Sequence, residues 1–470
     1  MLHFDSAIQL RKRLAERQIS ARELMQVTYA QINRLNPRLN ALVNVVPEEN
    51  ALALADAADK RIARGEAGPL EGLPMAPKDA EDVSGLPTTY GFVPWRDRVA
   101  KNDSLMVRRL RDAGALCIGK SNMPEFGLGS HTFNNLFGPT FNPWDTARTP
   151  GGSSGGAAVA LATGMLPIAD GSDMGGSLRN PASFCNVVGF RPSTGRVPDD
   201  SRAYGWFSRL DTRGPMGRTV DDVALLLSVQ AGPVDADPLA LTEPGETFRS
   251  IAERDLKGVR VGWSPDLGLP VDPAVKAVMN EIPPVLRTLG CEIETRVPDF
   301  SGAMDVFNIQ RGAQLASLGR SLDVAVPDWR QHAKDTAVWN IDFGLALNAE
   351  TLLRTEMERT RIYRRIAAYF ETVDALFIPA AQVPPFDATL DWVHEIDGVK
   401  LPTYLDWMQV CCIISITGLP TISVPAGFTK NGLPVGVQIV GKPRGDKALL
   451  EIARAFESAT GLHRRRPQGV

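Results

Sequence analysis

The chain has 470 residues, 44% of them hydrophobic and 22% charged, and a formal net charge of −3. That is enough apolar material for a large core, and the near balance of charge excludes the basic surface that a nucleic-acid or membrane partner would call for. Five scattered cysteines without C-x-x-C spacing read as free thiols, and the opening MLHFDSAIQLRKRL lacks the unbroken apolar core of a signal peptide and no run of 18 apolar residues occurs, so a cytoplasmic protein is expected.

Residues 20–36 are expected to form an amphipathic helix, opened by a capping box of Ser20 and Glu23 and stopped before Pro37. PEENALALADAADKRIARG, residues 47–65, reads as a second helix closing at Gly65. DSLMVRRLRDAG (103–114) follows as helix and ALCIG (115–119) as buried strand. TVDDVALLLSVQAG (219–232) is a helix and GVRVGW (258–263) a strand. Near the end, TISVPAG (421–427) and VGVQIVG (435–441) are strands, before the helix DKALLEIARAFESATG (446–461). The alternation predicts an α/β fold, an α/β/α sandwich whose large twisted sheet is mixed but mostly parallel and covered by helices. No repeat, low-complexity tract or linker interrupts it, so a single domain over 1–470 is expected, with 1–66 as an N-terminal helical layer.

Two familiar patterns fail their context test. GALCIGKS (114–121) satisfies G-x-x-x-x-G-K-[ST], but a helix precedes Gly114 and residues 115–118 are strand-like, whereas a phosphate loop follows a strand. GGSSG (151–155) matches the G-x-S-x-G elbow, which needs a strand running into it and a later acid and histidine. The preceding FNPWDTARTP is a proline-broken loop, and the later His332, His394 and His463 sit in polar, surface-like contexts.

A second glycine–serine cluster, ADGSDMGGSLRNPASFC (169–185), places Ser177 after Gly175 and Gly176. Consecutive N–H groups there can form an anion-binding nest for a developing oxyanion; a tight structural turn is the plain alternative. LEGLPMAPKDAEDVSGLPTTYG (70–91) carries Lys78. Burial can lower a lysine pKa far enough for it to act as a base in a Ser–Lys arrangement, unless Lys78 is merely ion-paired with neighbouring Asp79.

These segments, GLPMAPKD, GKSNMPEFG, NPWDTARTPGGSSGG, GSDMGGSLRNPASFCNVVGFRPSTGRVP and the closing GLPTISVPAG…GLPVGVQIVG, together resemble the amidase signature family over nearly the whole chain. The resemblance implies a Ser–cisSer–Lys set: Ser177 as nucleophile, Ser153 as proton relay after a cis peptide, and Lys78 as base and acid. Ser154 would support the network. The oxyanion would rest on backbone N–H groups of Met174, Gly175, Gly176 and Ser177, and Gly127 and Leu128 align with acyl-pocket positions. The implied reaction is hydrolysis of an amide C–N bond through a seryl acyl-enzyme, with no metal or organic cofactor, by a monomer or homodimer. Residues 67–230 would be the signature core and 300–410 a variable cover over the pocket.

Met174 stands where threonine or isoleucine is common in the family, Asn180 where glutamine or phenylalanine is, and Ala80 and Glu81 where asparagine often follows the lysine. These departures point away from the alternative, the glutaminase subunit of a tRNA-dependent amidotransferase; a catalytically silent scaffold is opposed by the intact Lys78, Ser153 and Ser177. Trp329, Trp339, Trp392 and Trp407 fall within residues 320–410 with Phe343, Phe370, Phe377, Phe386 and Tyr404. Shared between core and pocket, these aromatics lead to the expectation of a neutral, apolar substrate: an aryl or alkyl amide, anilide or related carbamate.

Overall fold

In the computed structural model, which describes residues 2–202, 205–207 and 209–469, the N-terminal layer begins with two capping boxes. Ser6 with Gln9 and Ser20 with Glu23 exchange side-chain and backbone bonds that start the helices Ala7–Ala15 and Ala21–Leu39. The second helix runs through Pro37 rather than stopping before it. The proline removes one N–H close to the helix end, and burial of Leu35 and Leu39 outweighs that loss before Asn40, at φ +49°, caps the turn. The helix Glu48–Arg64 closes at Gly65 as expected. All three share one apolar cluster with the helix Gly155–Ala162, every residue of which is buried.

The central sheet has eight strands among the described residues: β1 (Ile168–Asp173), β2 (Val188–Arg191), β3 (Thr212–Gly217), β4 (Arg260–Trp263), β5 (Glu292–Glu294), β6 (Ala375–Pro379), β7 (Thr421–Phe428) and β8 (Pro434–Gly441). Their order is β1-β3-β2-β7-β8-β6-β4-β5. The sheet is mixed and helix-covered, so the α/β class holds, but its parallel part is the minor one. β6–β4 and β4–β5 are parallel, and the five other pairings are antiparallel. For one of those five pairings the reason is connection length. β7 and β8 are joined by a tight turn at Thr429–Leu433, with Gly432 at φ +79°, far too short for the crossover a parallel pair requires. β3 inserts between β1 and β2, antiparallel to both.

The expected strand at 115–119 shrinks to Leu116–Cys117, paired in parallel with Pro74–Met75 in a small separate ladder. That ladder has a positional consequence: it carries the chain directly into Lys78, which bridges to Ser121. The helices Ala303–Ala325, Asp335–Leu345 and Ala349–Thr372, which the sequence patterning does not single out, lie on the side of the molecule that holds Phe307, Tyr369 and Trp407 in one apolar cluster. Among the described residues, no helix is long and apolar enough to cross a membrane.

Candidate active site

Lys78 is 1% exposed, and its ammonium nitrogen is surrounded by hydroxyls. Nζ lies 2.6 Å from Ser153 Oγ, 3.1 Å from Ser154 Oγ and 3.0 Å from Ser172 Oγ. Burial pulls its pKa down to about 8, against the upward influence of Asp170, Asp173 and Glu81. The Lys78 backbone N–H donates to the Asp170 carboxylate at 3.2 and 3.3 Å. Burial, with Glu81 nearby, raises the Asp170 carboxyl to about 7. No carboxylate among the described residues is bonded directly to Nζ, so the burial penalty prevails.

Asp79 faces the other way. It lies 3.6 Å from Lys120 and accepts the Thr89 N–H and hydroxyl, so the Lys78–Asp79 ion pair is not formed. Lys120, the lysine of the GKS match, is fully buried and donates to the Glu81 carbonyl and the Thr88 hydroxyl. It anchors the Lys78 segment rather than a phosphate.

Ser153 follows a cis Gly152–Ser153 peptide at the entrance to the helix Gly155–Ala162. Ser154 N–H donates to the Ser177 carbonyl at 3.2 Å, joining the two glycine–serine turns. Gly171 leaves room for the Ser154 side chain, because a Cβ there would lie 2.5 Å from Ser154 Oγ.

After β1 the chain turns through Met174–Ser177, and Asp173 shapes the turn. Its buried carboxylate accepts N–H groups from Gly176 (2.9 Å) and Leu178 (3.0 Å) and a two-pronged interaction from Arg179. Burial alone would raise the Asp173 pKa, but Arg179 and Arg191 overcome it and hold the carboxyl well below its usual range. The Gly176 N–H is therefore engaged inside the turn. Those of Met174, Gly175 and Ser177 meet no acceptor among the described residues. Gly176 itself sits at φ +114°, where a Cβ would approach Asn180 Nδ2 to 2.7 Å.

Ser153, Ser172, Ser177, Met174 and Gly175 line one cavity of about 210 Å³ together with Gly127 and Leu128. Lys78, Ser154 and Gly176 stand behind that wall. The cavity is apolar over Met123, Phe126, Leu128, Phe307, Leu315 and Met408, and it also presents Glu81, Asp211, Arg213 and Arg311. It is not the neutral slot expected from the aromatic content of residues 320–410.

The aromatics of that stretch lie elsewhere. Trp329, Trp407, Phe370, Phe377 and Phe386 are core residues. Trp339 stacks on Phe343 at the surface, Trp392 packs against His394, and Tyr404 is hydrogen-bonded to Arg311 and Asn340. From 300–410, the cavity receives Phe307, Arg311 and Leu315, which share one face of the helix Ala303–Ala325, and Met408. Among the described residues no histidine lines the cavity: His332 and His394 pair with surface aspartates, and His131 is held by Thr149 and the Ala388 carbonyl.

Sequence reasoning missed Asp170 and Ser172. Both touch Lys78 from one strand, two residues apart, and the period of two along β1 is the signal that could have found them. Arg311, a charge within a buried helical stripe, was equally legible from its spacing with Phe307 and Leu315.

Residues 23–450 match the family model described as Amidase. The chain is 34% identical to an acylamidase of Rhodococcus erythropolis over 97% of its own length and 96% of the relative's. It is also 34% identical to a glutamyl-tRNA(Gln) amidotransferase subunit of Methylococcus capsulatus, over the full length of both. Among solved structures, a bacterial aryl acylamidase of the amidase signature enzymes superimposes with a TM-score of 0.91 and 28% identity, covering 98% of each chain. With its fold, its lysine–serine cluster and these relatives, the chain belongs to the amidase signature family, whose hydrolases act on amides.

Proposed function

We propose that the protein hydrolyses the C–N bond of a small aryl or alkyl amide through an acyl-enzyme on Ser177. The observation that carries this reading is the 2.6 Å bond between Ser153 Oγ and a buried Lys78 whose pKa is drawn down toward neutrality. Neutral Lys78 takes the Ser153 proton as Ser153 takes that of Ser177, so Ser177 Oγ attacks the amide carbonyl. The tetrahedral oxyanion is received by the unengaged N–H groups of Met174, Gly175 and Ser177. Gly176 contributes the shape of the turn rather than a fourth donor, since its N–H is directed at Asp173.

Collapse breaks the C–N bond, and the leaving amine is protonated by the same relay in reverse. Water entering that position gives up a proton along the path and releases the carboxylate. Ser154 and Ser172 hold Nζ in line, and the acyl group lies against Gly127, Leu128 and Phe126. The related carbamate and ester bonds suit the same chemistry, and no cofactor enters.

The amidotransferase relatives favour a second reading, a glutaminase subunit. Glutamine carries an α-ammonium as well as a carboxylate, and the two carboxylates of the cavity wall are already committed: Glu81 to Arg213 and Asp211 to Arg202. On the same preparation, kcat/KM for an aliphatic 4-nitroanilide is expected to exceed that for glutamine; a clear preference for glutamine would transfer the assignment to the second reading.

The pH profile tests the base. Because neutral Lys78 is the working form and its pKa lies at about 8, kcat/KM should rise about tenfold per pH unit below that point and level off above it. A bell centred near pH 5 is the result that removes Lys78 from this role.

A further inference from the structure

Asp170 is fully buried on β1, and no lysine, arginine or histidine among the described residues forms a salt bridge with it. Its carboxylate accepts the Lys78 N–H, with the two oxygens at 3.3 and 3.2 Å. That N–H is available because the bridge between Lys78 and Ser121 is closed without it. Asp79 N–H donates to the Ser121 carbonyl, and Ser121 N–H to the Pro77 carbonyl. Two residues along β1, on the same face, Ser172 Oγ accepts from Lys78 Nζ at 3.0 Å. One face of the strand therefore holds Lys78 at both ends, through its backbone and through its side chain.

A single N–H needs only a neutral acceptor, such as a hydroxyl or an amide. A buried carboxylate in that role carries a desolvation cost that one such bond does not return, so its charge must serve another group. The charged and titratable groups around it are Lys78, Glu81, Lys120 and Cys117, with Arg213 opposite Ser172 in the register of β1 and β3. Arg213 is paired with Glu81 and Asp199, and Lys120 lies 3.6 Å from Asp79. Burial pushes the Cys117 thiol up to about 11, so it stays neutral. Asp173, three residues further along the strand, is matched by Arg179 and Arg191. Of these carboxylates, Asp170 alone has no cation of its own, and of these groups Lys78 is the one whose charge changes as the proton is passed.

We propose that Asp170 is a positioning residue: it fixes the Lys78 segment and, as counter-charge to the ammonium formed when Lys78 takes the proton, makes Lys78 a stronger base. A carboxylate near a lysine favours its charged form, and in a buried site little water screens the attraction. Bonded to the backbone rather than to Nζ, the carboxylate supports the ammonium without capturing its proton, so the relay through Ser153 stays open. The proposal rests on the hydrolase reading above, in which neutral Lys78 is the working form.

The test follows modification of Ser177 by an alkyl fluorophosphonate against pH, by intact-mass spectrometry. The Ser177 Oγ–P bond forms, the P–F bond breaks, fluoride leaves, and the serine proton passes through Ser153 to Lys78. In the unmodified protein the rate should rise with a midpoint at about pH 8, the Lys78 value. Asp170→Asn keeps an acceptor for the Lys78 N–H and removes the charge. Its midpoint should move down by about one pH unit, and its high-pH plateau should fall several-fold, because a base of lower pKa pulls less strongly. Asp170→Glu should keep the midpoint of the unmodified protein. Asp170→Leu places no unpaired amide in the site and gives the same shifted midpoint should Asp170→Asn not fold. An unshifted midpoint in a folded Asp170→Asn or Asp170→Leu protein, with the rate lowered equally at every pH, overturns the proposal and leaves the hydrolase reading standing. So does a downward shift in Asp170→Glu equal to that in Asp170→Asn. A Ser177 that reacts at no pH in the unmodified protein overturns the hydrolase reading and the proposal with it.

Discussion

Ser177→Ala should reduce amide hydrolysis by a factor on the order of a hundred thousand, because the acyl-enzyme has no other oxygen on which to form. Lys78→Ala and Ser153→Ala should each cost at least several thousand-fold for a different reason. Without Lys78 the proton has no acceptor, and without Ser153 Nζ loses its shortest contact, at 2.6 Å, and keeps only the longer ones to Ser154 and Ser172 among the described residues. The three act as one unit, so Lys78→Ala combined with Ser177→Ala should be no slower than Ser177→Ala alone. Ser154→Ala and Ser172→Ala each remove one bond that orients Nζ, and a loss of about tenfold matches the net worth of such a bond. Steady-state rates on a 4-nitroanilide, with circular dichroism to verify the fold, check the whole series. A folded Lys78→Ala enzyme with near-normal turnover would end the relay mechanism.

The reach of the sequence differs from one feature to the next, for physical reasons. The proposed roles of Lys78, Ser153 and Ser177 are legible because such chemistry would depend on backbone shape, and backbone shape is written in glycines: Gly171 beside Ser154 and Gly176 at positive φ leave no room for another residue. Helix starts are legible too, since a capping box is local. Strand direction is not local. TISVPAG and VGVQIVG have the same composition in a parallel or an antiparallel pair, and the short connection between them was the available clue. The tryptophans misled because an aromatic that fills a core and one that lines a cavity obey the same hydrophobic preference. Trp407 is buried between Phe184 and Phe386, while the aromatic wall of the cavity comes from Tyr90, Phe126 and Phe307. Charge within a buried helical stripe, as at Arg311, is the more discriminating signal, because the fold tolerates it only where something polar is to meet it.

Asp173→Asn should damage stability and catalysis together. Asp173, Arg179 and Arg191 are all fully buried, and Arg179 also reaches Gln438 on β8, the Cys411 carbonyl and Ser415 Oγ, so the pair joins the turn at 174–177, the proposed oxyanion site, to the hairpin β7–β8 and to the helix Gln409–Ser415. Asparagine keeps the shape but removes the charge and turns an amide N–H toward Arg179. Two guanidiniums are then left in the interior without their carboxylate, and breaking a buried pair from one side costs about 3–5 kcal/mol. The same change weakens the bonds that hold Gly176 and Leu178, so the N–H groups of Met174, Gly175 and Ser177 lose their common aim, and kcat should fall by at least the hundredfold associated with one lost oxyanion donor. The pH dependence gives the pair a signature of its own. A carboxyl whose folded pKa lies below its unfolded value contributes stability that is present above the unfolded pKa, near 4, and is lost as the pH falls toward the folded one. Urea unfolding of the unmodified protein should therefore show a drop in stability below about pH 4 that is smaller in the Asp173→Asn protein. Equal acid sensitivity in the two proteins, or an Asp173→Asn enzyme as stable as the parent at pH 7, would mean that the buried arginines are balanced by some other group.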